Sequence, residues 1–236
     1  CGDGVSWTLT GDTLAITYDG TGTGEMTDYD DSRNAPWGSY LSSINTITVG
    51  EGVTKVGANS FVLSSTGAPL TVTLPNSLIT IGNYAFMGTH GLYAITIPDS
   101  VNYIGEAAFS DCTNLGTVSI NAAGSALLSI GTAAFEHTAI SSISLPDSLP
   151  TIGNRAFNGC EQLDSVSIGV NGSMLNSGGD TTFNDGYTGI QVFSTVTYAG
   201  SASQWGNISI ATGNDRLTQA SVQYSVQDPV TPTTYT

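Results

Sequence analysis

The chain has 236 residues, 4 basic against 19 acidic side chains and a net charge of −15. So few bases cannot neutralise a run of phosphates or hold an anionic lipid surface, which excludes nucleic acid and membrane-surface partners. No run of 18 apolar residues occurs, so no helical membrane span is expected. Charged residues make up 10% of the chain, well below the usual quarter or so, and Ser, Thr, Asn and Gly replace them. That composition is common in secreted bacterial proteins, so an extracellular protein is expected, from which any signal peptide has been trimmed.

At the start, Trp7/Leu9 and Leu14/Ile16/Tyr18 alternate around Gly11-Asp12, the mark of a two-residue hairpin that can cover the first layer of a longer fold. Gly20-Thr21-Gly22-Thr23-Gly24 opens no helix and reads as a turn, not as a dinucleotide loop. Asp28, Asp30, Asp31, Ser32 and Asn34 have the oxygen spacing of a calcium loop. An EF-hand, however, needs Gly and Glu where Arg33 and Ser39 stand, so a solvated cap loop is expected. Ala35-Pro36-Trp37 through Leu41 then leads into the first repeat, with Trp37 expected to seal it.

Five times a Val or Ile followed by Gly precedes Phe by a fixed interval: Val56-Gly57 with Phe61, Ile81-Gly82 with Phe86, Ile104-Gly105 with Phe109, Ile130-Gly131 with Phe135 and Ile152-Gly153 with Phe157. The phenylalanines lie 25, 23, 26 and 22 residues apart, and a worn sixth copy, Gly178-Gly179 with Phe183, follows. Periods of this size mark a solenoid. A strand precedes each unit, at Thr46 to Val49, Thr71 to Leu74, Ala94 to Ile97, Thr117 to Ile120, Ser142 to Leu145 and Ser165 to Ile168. Period-two alternation points the apolar residues inward and the Thr and Ser outward. Pro75-Asn76-Ser77, Pro98-Asp99-Ser100 and Pro146-Asp147-Ser148 reverse the chain. A second extended piece (Leu78 to Ile81, Val101 to Ile104, Leu149 to Ile152) leads to the Gly, where a tight bend is expected to start one turn of helix. Ala85, Ala108, Ala134 and Ala156 stand where coils approach closely, and the Phe fills the interior. Thr195 to Tyr198 and Ser221 to Tyr224 continue the ladder, giving about eight layers at ~4.8 Å spacing. Ser203-Gln204-Trp205 is expected to close the far end.

These motifs resemble the BspA-like bacterial leucine-rich repeat proteins. Leu74-Pro75, Ile81-Gly82, Phe86 and Leu92 carry the pattern, as do Ile97-Pro98, Ile104-Gly105, Phe109, Cys112 and Leu115, and Leu145-Pro146, Ile152-Gly153, Phe157, Cys160 and Leu163. Cys1-Gly2-Asp3 with Trp7-Thr8-Leu9 is similar to the cap that precedes such repeats, and Tyr198-Ala199-Gly200 with Gln204-Trp205 and Gly213-Asn214-Asp215 to the way they end. The first repeat departs from the pattern by an insertion at Ser64 to Pro69. The resemblance implies a right-handed β/α solenoid with a stacked parallel sheet, short helical turns and a hairpin cap. The expected organisation is a cap over 1–45, about six coils over 46–193, capping coils over 194–225 and a tail over 226–236. The resemblance further implies a cell-surface role in adhesion and a protein or glycan partner of host or microbial origin, and does not imply catalysis.

Candidate chemistry is sparse. Cys112 and Cys160 fall three residues after the repeat Phe, where other copies have Ser64, Thr89, Thr138 and Gly186, so a small side chain inside a turn is expected. Two coils separate them, about 10 Å, beyond the roughly 7 Å Cα limit for a disulfide. Cys1 fits the cap opening, and a Cys at a mature N-terminus can also carry lipid. His90 and His137 lie in the connector with no zinc spacing around them. No nucleophile elbow or catalytic carboxylate pair is present, so no enzyme, cofactor or metal is expected. Asn121 to Ala126 and Gly169 to Met174 are insertions at the same point of alternate coils and form a candidate rim. The outward ladder Thr46/Thr48, Thr71/Thr73, Thr117/Ser119 resembles the threonine arrays of ice-binding solenoids, but Ser replaces Thr later and Ala94 interrupts it. The expected role is a monomeric, non-catalytic binding module, the alternative a stalk within a larger envelope protein.

Overall fold

The computed structural model describes residues 1–63, 68–147, 149–169, 193–207, 210 and 214–227. The worn sixth repeat, most of the insertions at Ser64 to Pro69 and Gly169 to Met174, and the end of the tail lie outside them.

The chain winds as a solenoid with two strand-built sides. The main side contains β1 (Val5–Thr10), β2 (Thr13–Tyr18), β3 (Thr46–Val49), β5 (Thr71–Thr73), β7 (Ala94–Thr96), β9 (Thr117–Ser119), β11 (Ser142–Ser144), β13 (Ser165–Ile168), β14 (Thr195–Tyr198) and β15 (Val222–Tyr224). Its ladders run β1-β2-β3-β5, then β7-β9, then β11-β13-β14-β15. Only β1 is antiparallel to its neighbour, across the Gly11-Asp12 turn. The second side stacks five two-residue strands in the order β12 (Thr151–Ile152), β10 (Ser129–Ile130), β8 (Tyr103–Ile104), β6 (Thr80–Ile81) and β4 (Lys55–Val56), all parallel. Between the sides lies one core from Val5 to Leu217, which contains Phe61, Phe86, Phe109, Phe135 and Phe157, all fully buried.

Those phenylalanines form a continuous pile. Trp37 stacks on Phe61 at 5.5 Å, and Phe61, Phe86, Phe109, Phe135 and Phe157 follow at 5.2 to 5.4 Å between ring centroids. Trp37 seals the start as expected, with its Nε1 donating to the Ser60 carbonyl at 2.9 Å. The hairpin covers the main side through the parallel pairing of β2 with β3. Glu25 bridges Lys55, so the segment that returns from the glycine turn extends the second side as well. At the far end Trp205, on the short helix α1 (Ala202–Gly206), packs on Tyr198 at 5.2 Å. Arg216, on α2 (Asp215–Thr218), is buried over the Phe193 ring and donates to the carbonyls of Cys160 and Leu163. Nothing in the sequence pattern singles out that arginine.

The turn of helix expected after each glycine is not formed. The second residue after it, Asn59, Tyr84, Ala107, Ala133 or Arg155, has φ between 48 and 60°. Gly88, Asp111, His137 and Gly159 repeat the left-handed conformation two residues after the Phe. In consequence alternate N–H groups leave the coil. Those of Tyr84, Phe86 and Gly88 donate to the carbonyls of Glu106, Ala108 and Ser110, and those of Ala107, Phe109 and Asp111 to Thr132, Ala134 and Glu136, all at 2.8 Å. A helix would keep these donors for its own carbonyls and leave the third side unpaired between coils. A left-handed non-glycine residue costs about 1–2 kcal/mol, and two or three further inter-coil bonds at about 1 kcal/mol each offset it.

The repeat glycines answer a different demand. Their φ is not left-handed, but a Cβ on Gly105 would lie 2.6 Å from the Asn83 nitrogen, on Gly131 2.6 Å from the Glu106 nitrogen and on Gly153 2.3 Å from the Thr132 nitrogen. Each contact is with the backbone of the preceding coil, which cannot move aside without breaking the third-side ladder. Gly131→Ala is therefore expected to cost about 2 kcal/mol or more and to lower Tm by at least about 4 °C. Gly116→Ala, whose Cβ would meet nothing nearer than 3.8 Å, should melt like the parent in the same calorimetric scan.

Candidate functional site: the uncharged sheet face

The strands of the main side alternate as expected, so their register aligns two outward columns. The first runs Thr13, Thr46, Thr71, then Ala94, Thr117, then Ser142, Ser165, Thr195. The second runs Ala15, Thr48, Thr73, then Thr96, Ser119, then Ser144, Ser167, Thr197. Fourteen of these sixteen positions are Ser or Thr and none is charged. Behind them Leu14, Ile47, Ile95, Val118, Ile143, Val166 and Val196 are buried, which fixes the hydroxyls outward.

The carboxylates stand at the ends of the strands instead. Glu51 accepts the N–H groups of Asn76 and Ser77, one coil on, at 3.0 and 3.2 Å. Asp99 accepts from the Asn121 side-chain amide at 2.9 Å, and its own carbonyl accepts the Ala126 N–H at 2.8 Å. These bonds pin the inserted loop Asn121 to Ala126 to the coil before it, at the margin of the face. Its expected counterpart, Gly169 to Met174, is described only at its first residue.

The other candidates are absorbed by the scaffold. Cys112 and Cys160 are free thiols, each donating to the carbonyl of the Phe one coil earlier, Phe86 and Phe135, at 3.1 Å. Thr89 does the same to Phe61 at 2.8 Å. At these three positions the small side chain also donates across the coils, a role that size alone does not reveal, whereas Thr138 donates to the Phe135 carbonyl of its own coil at 2.9 Å. Burial pushes the Cys112 thiol up to about 12 and raises that of Cys160, so neither is a nucleophile. Cys1 is half-buried, its Sγ bonded to the Val5 carbonyl at 3.2 Å.

In the acidic cap, Asp28 bonds Lys55 Nζ and the Ala58 N–H, both at 2.7 Å, while Asp31 caps a short 3-10 turn and pairs with Arg33 at 2.5 Å. Hydrogen bonds from the Arg33 side chain and backbone hold the Asp31 carboxyl at about 2. His90 Nδ1 meets Thr113 Oγ1 at 2.9 Å, and His137 Nδ1 meets Asp111 at 3.0 Å. The latter pair borders an open, mostly polar groove of about 490 Å³ with Thr113 and Glu161. Both partners are about half exposed, where such a pair contributes little. Among the described residues no three His, Cys, Asp or Glu side chains converge as metal ligands do.

A parallel stack with a buried aromatic pile and an uncharged outer face is a leucine-rich-repeat solenoid. The chain belongs to the BspA type leucine rich repeat family, whose region matches in six copies over residues 39–163 and 80–210. Among solved structures it is similar to the pneumococcal vaccine antigen PcpA, at 15% identity over 96% of this chain and 69% of that one, with a TM-score of 0.51. It is also similar to the T. pallidum leucine rich repeat protein TpLRR, at 19% identity over 95% and 81% of the two chains, with a TM-score of 0.48. A leucine rich cell surface protein of Faecalibacterium prausnitzii A2-165 matches at 25% identity over 74% and 65%, with a TM-score of 0.31. No curated protein matches the chain.

The thiol environments give a direct test. With a thiol-reactive chromophore at pH 8, one equivalent per native chain (Cys1) and three per denatured chain are expected. Above pH 9 the unfolded thiols ionise while the buried ones hold their protons. The stability contributed by Cys112 is therefore full below pH 9 and declines as pH rises toward about 12, and Cys160, raised by burial, acts in the same direction. Cys112→Thr should fold within about 1 kcal/mol of the parent, because Thr89 already serves in that column, and should show a shallower alkaline fall in Tm.

Proposed function

We propose that the chain is a non-catalytic binding module displayed outside the cell, which contacts a host or microbial surface protein or glycan through the hydroxyl face of its main sheet. The observation that carries this reading is the face itself: fourteen hydroxyls in two columns, locked in place by the buried residues behind them, on a chain of charge −15. A rigid, pre-arranged hydroxyl array loses little entropy on binding and offers donors and acceptors to amide or sugar edges. The acidic margin works against nucleic acid and anionic lipid. The low-charge composition supports an extracellular location. The pinned loop Asn121 to Ala126 would add to one edge of the same surface.

Thr96→Lys with Ser119→Lys, two exposed positions paired across neighbouring strands, tests this. In an array of immobilised host matrix proteins and glycans, the parent is expected to retain a ligand and the double variant to lose at least tenfold in affinity with an unchanged Tm. A parent that retains none would favour the stalk reading, in which the stack only spaces other modules, and a variant that binds equally well would place the contact away from the hydroxyl face.

A further inference from the structure

The second side carries an outward surface that the hydroxyl face does not account for. Three of its five strands, β6, β8 and β10, are entered through a bulge, in which one carbonyl accepts two successive N–H groups of the next coil. The Thr54 carbonyl accepts from Ile79 and Thr80 at 2.8 and 3.1 Å, that of Ile79 from Asn102 and Tyr103 at 2.9 and 3.4 Å, and that of Asn102 from Leu128 and Ser129 at 2.9 and 3.2 Å. Two side chains therefore face outward between two buried ones: Ile79 and Thr80 between Leu78 and Ile81, Asn102 and Tyr103 between Val101 and Ile104, Leu128 and Ser129 between Leu127 and Ile130. Leu78 and Ile81 are both buried at a spacing of three, so strict period-two alternation does not hold across this extended piece.

Three of these outward residues are large and apolar on three consecutive coils: Ile79 is 42% exposed, Tyr103 37% and Leu128 51%. Packing does not demand them, since Thr54, Thr80, Asn102 and Ser129 fill equivalent positions. The outward positions of these coils carry no carboxylate, yet acids stand at both ends of the strands. Asp99 lies in the turn before Tyr103, and Glu106, bonded to the Tyr84 hydroxyl at 2.6 Å, follows it across the glycine bend, while Glu51 and Asp147 lie in the corresponding turns of the coils on either side of the three. An apolar ridge bordered by negative charge selects a partner with the complementary arrangement. A second copy, also at −15, would bring acidic border against acidic border.

We propose that this ridge docks a cationic amphipathic polypeptide segment, whose apolar side chains pack on Ile79, Tyr103 and Leu128 while its Lys or Arg side chains reach the bordering carboxylates. The surface is separate from the hydroxyl face, and the proposal stands or falls without it.

Fluorescence anisotropy with a labelled twelve-residue peptide of alternating Leu and Lys tests it on the full chain, with Leu-Glu and Ser-Lys peptides of equal length as controls. The Leu-Lys peptide is expected to bind at least tenfold more tightly than either control, and to weaken with salt. Ile79→Ser with Leu128→Ser should reduce that binding at least tenfold, with Thr96→Lys/Ser119→Lys leaving it unchanged. Circular dichroism checks the fold of the double variant, and Tyr103→Ser alone, expected to weaken binding in the same direction, gives the reading should the double variant unfold. Equal binding of the Leu-Lys peptide by the parent and a folded ridge variant, or a Ser-Lys peptide that binds as tightly, would overturn the proposal. So would a parent that sediments as a dimer and a ridge variant that sediments as a monomer.

Discussion

Backbone hydrogen bonding between successive coils is the constraint from which the rest of this structure follows. Both strand sides and the left-handed third side send donors across the same gap, so the coils must sit at a common, short spacing all the way round. The repeat glycines are the price of that spacing, because a Cβ would strike the backbone of the preceding coil. The aromatic pile is its gain, since rings set one per coil arrive at stacking distance, 5.2 to 5.5 Å, without further adjustment. A coil removed from its neighbours would leave open hydrogen bonds on every side and one exposed face of each ring, which is why the hairpin and Trp37 at one end and Trp205 and Arg216 at the other belong to the fold as much as the repeats do.

That economy also decides where function can reside. Residues that attract attention as chemistry take part in holding the stack: Cys112 and Cys160 bond the carbonyls of Phe86 and Phe135, Asp28 bonds Lys55, and Glu51 and Asp99 hold groups from the next coil. What stays uncommitted is outward side chain on the two strand sides. One side is uncharged and carries hydroxyls at fourteen of its sixteen aligned outward positions. The other bears an apolar ridge between acidic ends. A single scaffold thus presents two surfaces of different chemistry.

The sequence determined the repeat, its strands, the inward and outward faces of the main side, the buried phenylalanines and the sealing role of Trp37. Each of these rests on local pattern: period-two alternation, a fixed interval between Gly and Phe, and the need to cover an exposed end. The hydroxyl face was legible for the same reason. Tertiary structure alone decided the conformation after each glycine, because Ile81-Gly82-Asn83-Tyr84-Ala85-Phe86 read in isolation has no reason to prefer left-handed residues over a turn of helix. The preference arises only when another coil presents carbonyls to the N–H groups of Tyr84 and Phe86. The same holds for the outward pairs that expose Ile79, Tyr103 and Leu128, and for Arg216, which bonds carbonyls more than fifty residues away. Short-range pattern encodes which side of a strand is wet. Which backbone donors have partners, and therefore which backbone shapes are stable, depends on neighbours that the pattern does not contain.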